Sequence, residues 1–350
     1  MVDTAHDHGG APGGSGRCEA ESIRSNIPGS FAWSVLQQRH PALIAQVRDA
    51  FPYPPRQQQA LELLLEEITT GVITSLDRGA HDQRAWTEWG EDRVGRRWFD
   101  VEFLWAESYF YRRLLASVWG NRADLGFRLS TQLAGQADQI DTAVIADDSA
   151  LMWSLLEHNP PGTVCVVADN AGRELLPDLA LIDHLLRTGL ASRVALHIKP
   201  HPYYVSDAVT ADVVAGLRRL RATDGAAGLI GGRLWDATRA GVLELRSHAF
   251  HCAPLSFHHM PDDLAEEFAT ATVTIAKGDL NYRRLVGDCA WAPTRPFAEL
   301  TGYFPGPLVA LRTLKSDVAV GLTESVVTAL DTSGEAWRTT GAHAVIHARP

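Results

Sequence analysis

The chain reads as an α/β protein, a doubly wound and largely parallel sheet flanked by helices, with a helical subdomain at its N-terminal side. Three observations carry this. Beyond about Pro161, short β-branched runs alternate with leucine-rich helical stretches, which is the pattern of βα units in a parallel sheet. Residues 164–167, VCVV, are apolar on both faces, as a strand covered by helices on both sides must be. Polar residues then gather where such runs end, at the carboxyl edge where open α/β sheets build their sites.

Taken in chain order, residues 1–26 are rich in Gly, Ser, Ala, Asp and Glu and carry little that is apolar. They cannot offset their own ordering entropy and are expected to form a disordered tail; His6 and His8 within it would pick up metal only adventitiously. Residues 27–160 read as a helical subdomain. Helical spacing runs through Phe31, Val35, Leu36, Leu43, Ile44 and Val47, then through Leu61, Leu64, Ile68 and Val72,. A third helix is expected from Trp98 to Trp119, where Glu107, Arg112 and Arg113 stand among aromatics and could line the wall of a cleft. Residues 161–345 form the expected metal- and phosphate-binding α/β domain. Its strands are read at 163–169, 193–199, 243–247, 271–276 and 308–314, with a further one near Leu229.

Whole-chain properties bound the function. The apolar fraction of 45% and charged fraction of 21% are those of an ordinary globular protein,. A formal net charge of −10 argues against a general nucleic-acid binder, while leaving room for a local basic pocket,. The cysteines at 18, 165, 252 and 289 show no CxxC spacing, which fits reduced thiols better than a disulfide framework or a zinc cluster. No apolar run reaches the ~20 residues needed to cross a bilayer, and the N-terminus lacks the regions of a signal peptide. The expectation is a soluble, cytoplasmic protein with no membrane partner.

Chemistry concentrates in four clusters. Asp169 and Asn170 end the first strand, and Asp207 closes KPHPYYVSD after the second. Lys277-Gly278-Asp279-Leu280-Asn281-Tyr282-Arg283 follows ATVTIA, and Arg312-Thr313-Leu314-Lys315 ends the last strand of this set. The first pair offers hard oxygen ligands suited to Mg²⁺ or Mn²⁺. The second pair offers Arg and Lys suited to phosphoryl oxygens. Each cluster also has a plainer reading: Asp169 or Asp207 as a helix cap, Asp279 and Asn281 as turn formers, Arg312 as the partner of a surface acid. The histidines at 197, 201, 248, 251, 258 and 259 invite a zinc reading, but they have no cysteine partners at suitable spacing and no HExxH form,. GxGxxG, Walker A and GxSxG patterns are absent,.

The runs VADNAGRELLPDLALIDHLL, KPHPYYVSD, KGDLNYRRL and RTLK together resemble the damage-control phosphatase family, DUF89, and within it the acidic residue methyltransferase 1-like subgroup with its RTxK motif. An early SFA at Ser30 and FYRR at Phe110 extend the resemblance over nearly everything after the tail. The resemblance implies metal-dependent hydrolysis of sugar phosphates or related phosphometabolites, with Mn²⁺ foremost and Co²⁺, Ni²⁺ or Mg²⁺ as alternatives. It implies Asp169, Asn170 and Asp207 as metal ligands at the catalytic centre. Asp279, Leu280, Asn281, Tyr282 and Arg283, with Lys315 and the neighbouring Arg312, would hold the substrate. Glu174 matches a position proposed to contact S-adenosylmethionine, so carboxyl methylation stands as the alternative activity, and a non-catalytic metabolite-binding protein as another. The chain departs from its relatives at Arg173 and at His201. Oligomeric state and the nature of the nucleophile, water or a carboxylate, stay open.

Overall fold

The computed structural model describes residues 20–121 and 143–350, so the expected tail lies outside the described residues as far as residue 19. The remainder of that stretch is tied to the body of the protein. Ile23 donates its N–H to the Asp288 carbonyl at 3.2 Å and accepts from the Phe103 N–H at 2.8 Å, and Ser25 is fully buried.

Seven strands form one sheet in the order β1-β7-β6-β5-β2-β3-β4. They are β1 (Ala143–Asp147), β2 (Thr163–Val167), β3 (Arg193–Ile198), β4 (Leu243–Ser247), β5 (Val273–Lys277), β6 (Leu308–Thr313) and β7 (His343–Arg349). Neighbours from β6 through β4 are parallel, β7 runs antiparallel to β6, and β1 lies parallel to β7 at the far edge. From β2 the chain winds outward through β3 to β4, then returns to β5 on the other side of β2 and continues to β6. The order therefore reverses between β2 and β5, the position at which open α/β sheets bind ligands.

Helices cover both faces. One face carries α5 (Ser149–His158), α6 (Leu175–Thr188), α7 (Thr210–Arg221) and α8 (Ala226–Arg239); the other carries α9 (Asp262–Ala269), α10 (Gly278–Val286) and α11 (Glu324–Ser333). Strand pleating decides which residue serves which face. Val164 and Val166 pack with Leu179, Ile182 and Leu185 on the first, while Cys165 and Val167 pack with Phe257, Phe268 and Tyr282 on the second.

Preceding the sheet are α1 (His40–Ala50), α2 (Pro55–Thr70), α3 (Gln83–Gly90) and α4 (Phe103–Trp119). Their aromatic core includes Trp86, Trp98, Trp105, Tyr109 and Phe110, and it reaches into the α/β part at Tyr203, Cys252 and Leu280. These helices thus cap the carboxyl edge of the sheet. The expected third helix starts later than read, at Phe103, after a 3-10 turn at Trp98–Asp100.

The strand expected near Leu229 is instead α8. Gly231 explains it, because α8 crosses α7 so closely that a Cβ there would stand 2.6 Å from the Leu220 Cβ and 2.5 Å from the Arg221 nitrogen. The glycine marks a close helix crossing. Cys165 and Cys252 are free and buried, but Cys289 is disulfide-bonded, so the expectation of reduced thiols holds only for the first two. Among the described residues no helix is long and apolar enough to cross a membrane.

Candidate active site

Asp169 and Asn170 leave the end of β2, and the segment before α7 is stitched alongside them. Ala208 donates to the Asp169 carbonyl at 2.8 Å, Ala171 donates to the Ser206 carbonyl at 2.8 Å, and Asn170 and Asp207 form an antiparallel bridge. Two strand ends read from separate motifs therefore meet. Side chains extend the pairing: Ser206 Oγ donates to Asn170 Oδ1 at 2.5 Å, and Asn170 Nδ2 donates to Asp169 Oδ2 at 3.2 Å and Glu174 Oε2 at 3.0 Å. The Tyr204 N–H donates to Asp207 Oδ2 at 2.5 Å.

The capping readings fail on this geometry. Helix α6 starts only at Leu175 and α7 at Thr210, and neither Asp169 nor Asp207 caps them. Gly172, at φ +67°, turns the chain between strand and helix, a conformation that costs glycine little. Across the sheet reversal Gly278, at φ +88°, passes so close that a Cβ there would stand 1.8 Å from Asp169 Oδ2. The carboxylate is walled in by the β5–α10 turn.

A cleft of about 240 Å³ opens here, bordered by Asp169, Asn170, Glu174, Asp207, Asp279, Leu280, Arg283 and Lys315. Asn281, Tyr282 and Arg312 stand behind its wall. Asn281 is fully buried and donates to the Ala168 and Lys277 carbonyls at 3.2 and 2.8 Å, which fixes α10 against the end of β2. Arg312 stacks on the Tyr282 ring at 4.4 Å and donates to Asp279 Oδ1 at 2.8 Å, so its partner is a cleft carboxylate and not a surface acid. Arg283 faces the cleft but is held by Glu107 at 2.7 Å and Asp288 at 2.7 Å. Lys315 alone of the expected cations is half-exposed, loosely paired with Glu174 at 3.3 Å; such a pair contributes little to stability and exchanges readily.

Residues 114–330 match the family model of the damage-control phosphatase ARMT1-like domain. The chain belongs to this family. It is 26% identical to damage-control phosphatase ARMT1 of Danio rerio over 95% of this chain and 97% of that protein. The ARMT1 proteins of Mus musculus and Rattus norvegicus are 33% and 34% identical over 68% and 67% of this chain, each across 58% of the relative's own length. The chain thus aligns with somewhat over half of each rodent relative. A solved structure of a DUF89 family protein from Pyrococcus horikoshii overlays at a TM-score of 0.41 with 14% identity, covering 86% of this chain and 93% of that one.

In this ARMT1-like chain the cleft electrostatics favour binding of a cation. Asp169 and Asp207 are buried, at 8% and 2% exposure, and among the described residues neither has an Arg, Lys or His within ion-pair distance. Burial, followed by the charges of Asp207 and Glu174, pushes the Asp169 carboxyl well above the usual carboxylate range. Buried carboxylates crowded in this way are costly without a compensating charge. The oxygen-only donor set of Asp169, Asn170 and Asp207 fits a hard divalent cation.

Three contributors went unread in the sequence, and a fourth, Glu107, borders the cleft as expected of a wall residue. Arg39 and Tyr111 from the helical cap border the cleft, and Arg39 makes no hydrogen bond or ion pair among the described residues. Glu107, singled out only as a wall residue, is the buried partner of Arg283. Lys199 lies 1% exposed behind Asp169 with its ammonium unpartnered. Arg39, Tyr111 and Glu107 come from a separate part of the chain, so only the tertiary fold brings them to the motifs. Lys199 stood inside the KPHPYYVSD run, and its alternation within a strand-like stretch was the signal available.

Proposed function

We propose that this chain hydrolyses phosphate monoesters of small metabolites, sugar phosphates foremost, with a divalent cation, Mn²⁺ foremost and Co²⁺, Ni²⁺ or Mg²⁺ as alternatives. The observation that carries this reading is the pair of buried carboxylates, Asp169 and Asp207, without an ion-paired cation among the described residues, flanked by an amide oxygen and placed at the reversal of strand order. Asp169, Asn170 and Asp207 would hold the cation. Once bound, it would polarise the phosphoryl group and make water a better nucleophile.

The chain's own groups supply the rest. Lys315 and Arg39 bind phosphoryl oxygens by charge-assisted hydrogen bonds, Lys315 by leaving Glu174. The N-terminal turn of α10, whose Asp279 and Leu280 border the cleft, adds backbone N–H groups and the positive end of the helix dipole. Arg283, locked by Glu107 and Asp288, adds fixed positive charge and ties the cap to the sheet. A cleft of about 240 Å³ suits a small ester better than a folded protein substrate. Methyl transfer, the alternative, has only Glu174 among the residues bordering the cleft in its favour.

The test is phosphate release from a panel of sugar phosphates and an aryl phosphate, using metal-free protein reconstituted separately with each of these four cations. Release should require metal and vanish in Asp169→Ala. Full release from Asp169→Ala would overturn the ligand assignment, and metal-independent release would overturn the mechanism.

A further inference from the structure

His201, within the KPHPYYVSD run, meets His81 of the helical cap. The two rings lie 5.3 Å apart, edge to face. One ligand atom each of His81, Asp82 and His201 falls within 4.8 Å of the others. We propose that these three side chains form a second metal site, distinct from the cleft, for a borderline first-row divalent cation, Zn²⁺ foremost. An ion there would clamp the loop ahead of α3 to the segment that leads from β3 to Asp207.

Hydrogen bonds already orient His201 and Asp82. His201 sets its Nδ1 against the Pro202 carbonyl at 3.0 Å. Donation to that carbonyl leaves the lone pair on Nε2, the arrangement by which a backbone oxygen orients a ligating imidazole. Asp82 is fixed by Arg112, which donates to Oδ1 and Oδ2 at 2.7 Å each, and by the Trp86 indole, which donates to Oδ2 at 2.9 Å. Oδ1 therefore accepts one of these bonds where Oδ2 accepts two, and Oδ1 faces the His81 ring, 3.6 Å from its Nδ1; that nitrogen lies 3.3 Å from the Asn121 carbonyl, and donation to it leaves Nε2 as the ligating atom of His81. The guanidinium weakens Asp82 as a donor, so the two imidazoles dominate and the site favours Zn²⁺ over Mg²⁺.

A second cluster, Cys165, His197 and Glu267, is less suited. Burial pushes the Cys165 thiol up to about 12, which keeps it from offering the thiolate that a metal requires.

The histidine site can be isolated in the full-length chain carrying His6→Ala, His8→Ala and Asp169→Ala, which removes the tail histidines and the cleft. Zn²⁺ titrated against a chromophoric chelator should show one bound equivalent, and Co²⁺ in its place should give visible ligand-field bands. Adding His201→Ala, or His81→Ala at its exposed position, should weaken Zn²⁺ at least tenfold and abolish the bands. Zn²⁺ should also raise the melting temperature of the background chain, a reading that needs no change at the site itself. Absence of Zn²⁺ binding in the background chain would overturn the proposal, as would affinity undiminished in both histidine variants.

Discussion

Asp279 borders the cleft, yet its carboxylate is turned toward structure. Oδ1 accepts from Arg312 at 2.8 Å, from Ser316 Oγ at 3.0 Å and from the Lys315 N–H at 3.3 Å, so it anchors the segment that presents Lys315. An ionised carboxylate only accepts hydrogen bonds and would repel a phosphate. Its contribution to substrate binding is therefore indirect, through Lys315. Burial opposes its charge, but Arg312 and Arg283 nearby hold the carboxyl below its ordinary range. A carboxyl depressed in the folded state contributes stability that is complete above its unfolded value of about 3.9 and is lost as pH falls through the folded value. Acid titration of the melting temperature should accordingly show a loss on the acid side of pH 4 that is smaller in Asp279→Asn. Identical acid limbs in the two proteins would remove Asp279 from this role.

At the scale of elements, the β5–α10 turn decides the shape of the site. Gly278 combines φ +88° with a Cβ position 1.8 Å from Asp169 Oδ2, so Gly278→Ala must strain the turn and displace the carboxylate. We expect a loss of about 1–3 kcal/mol together with loss of metal binding. Gly232, in α8, has open space at its Cβ position, and Gly232→Ala should stabilise by about 1 kcal/mol. Paired melting curves check both signs; equal, small effects would show that Gly278 is not the constraint. Most elements were legible because their signals are local: the β-branched run of β2 and the leucine spacing of α6 need no partner to be recognised. Two elements were not. Strand β7, between β1 and β6, mixes His343, His347 and Arg349 among its apolar residues, which hides its alternation, and β1 offers only the short run Ala143 to Ala146 before Asp147. In α8 the Gly231-Gly232 pair interrupts the apolar helical spacing after Leu229 and Ile230, where the strand was expected, because the close crossing with α7 leaves no room for a Cβ at Gly231.

Across the whole molecule, the motifs predicted a meeting point that the topology supplies. Asp169, Asn170 and Asp207 converge at the sheet reversal, while Asn281, Tyr282 and Arg312 proved to brace the wall from behind. What the motifs could not convey is the cap. Arg39, Tyr111 and Glu107 reach the cleft from helices packed through Tyr203, Cys252 and Leu280, contacts set by tertiary packing alone. The account predicts one site whose metal and whose chemistry share the same ligands. The most direct measurement follows Mn²⁺ binding and phosphate release on one metal-free preparation as Mn²⁺ is added stepwise, for the natural chain and for Asp207→Asn with an unchanged melting curve. In the natural chain, release should rise with bound Mn²⁺ and stop on chelation, and Asp207→Asn should lose both together. Undiminished release from chelated protein, or from folded Asp207→Asn, would contradict the account.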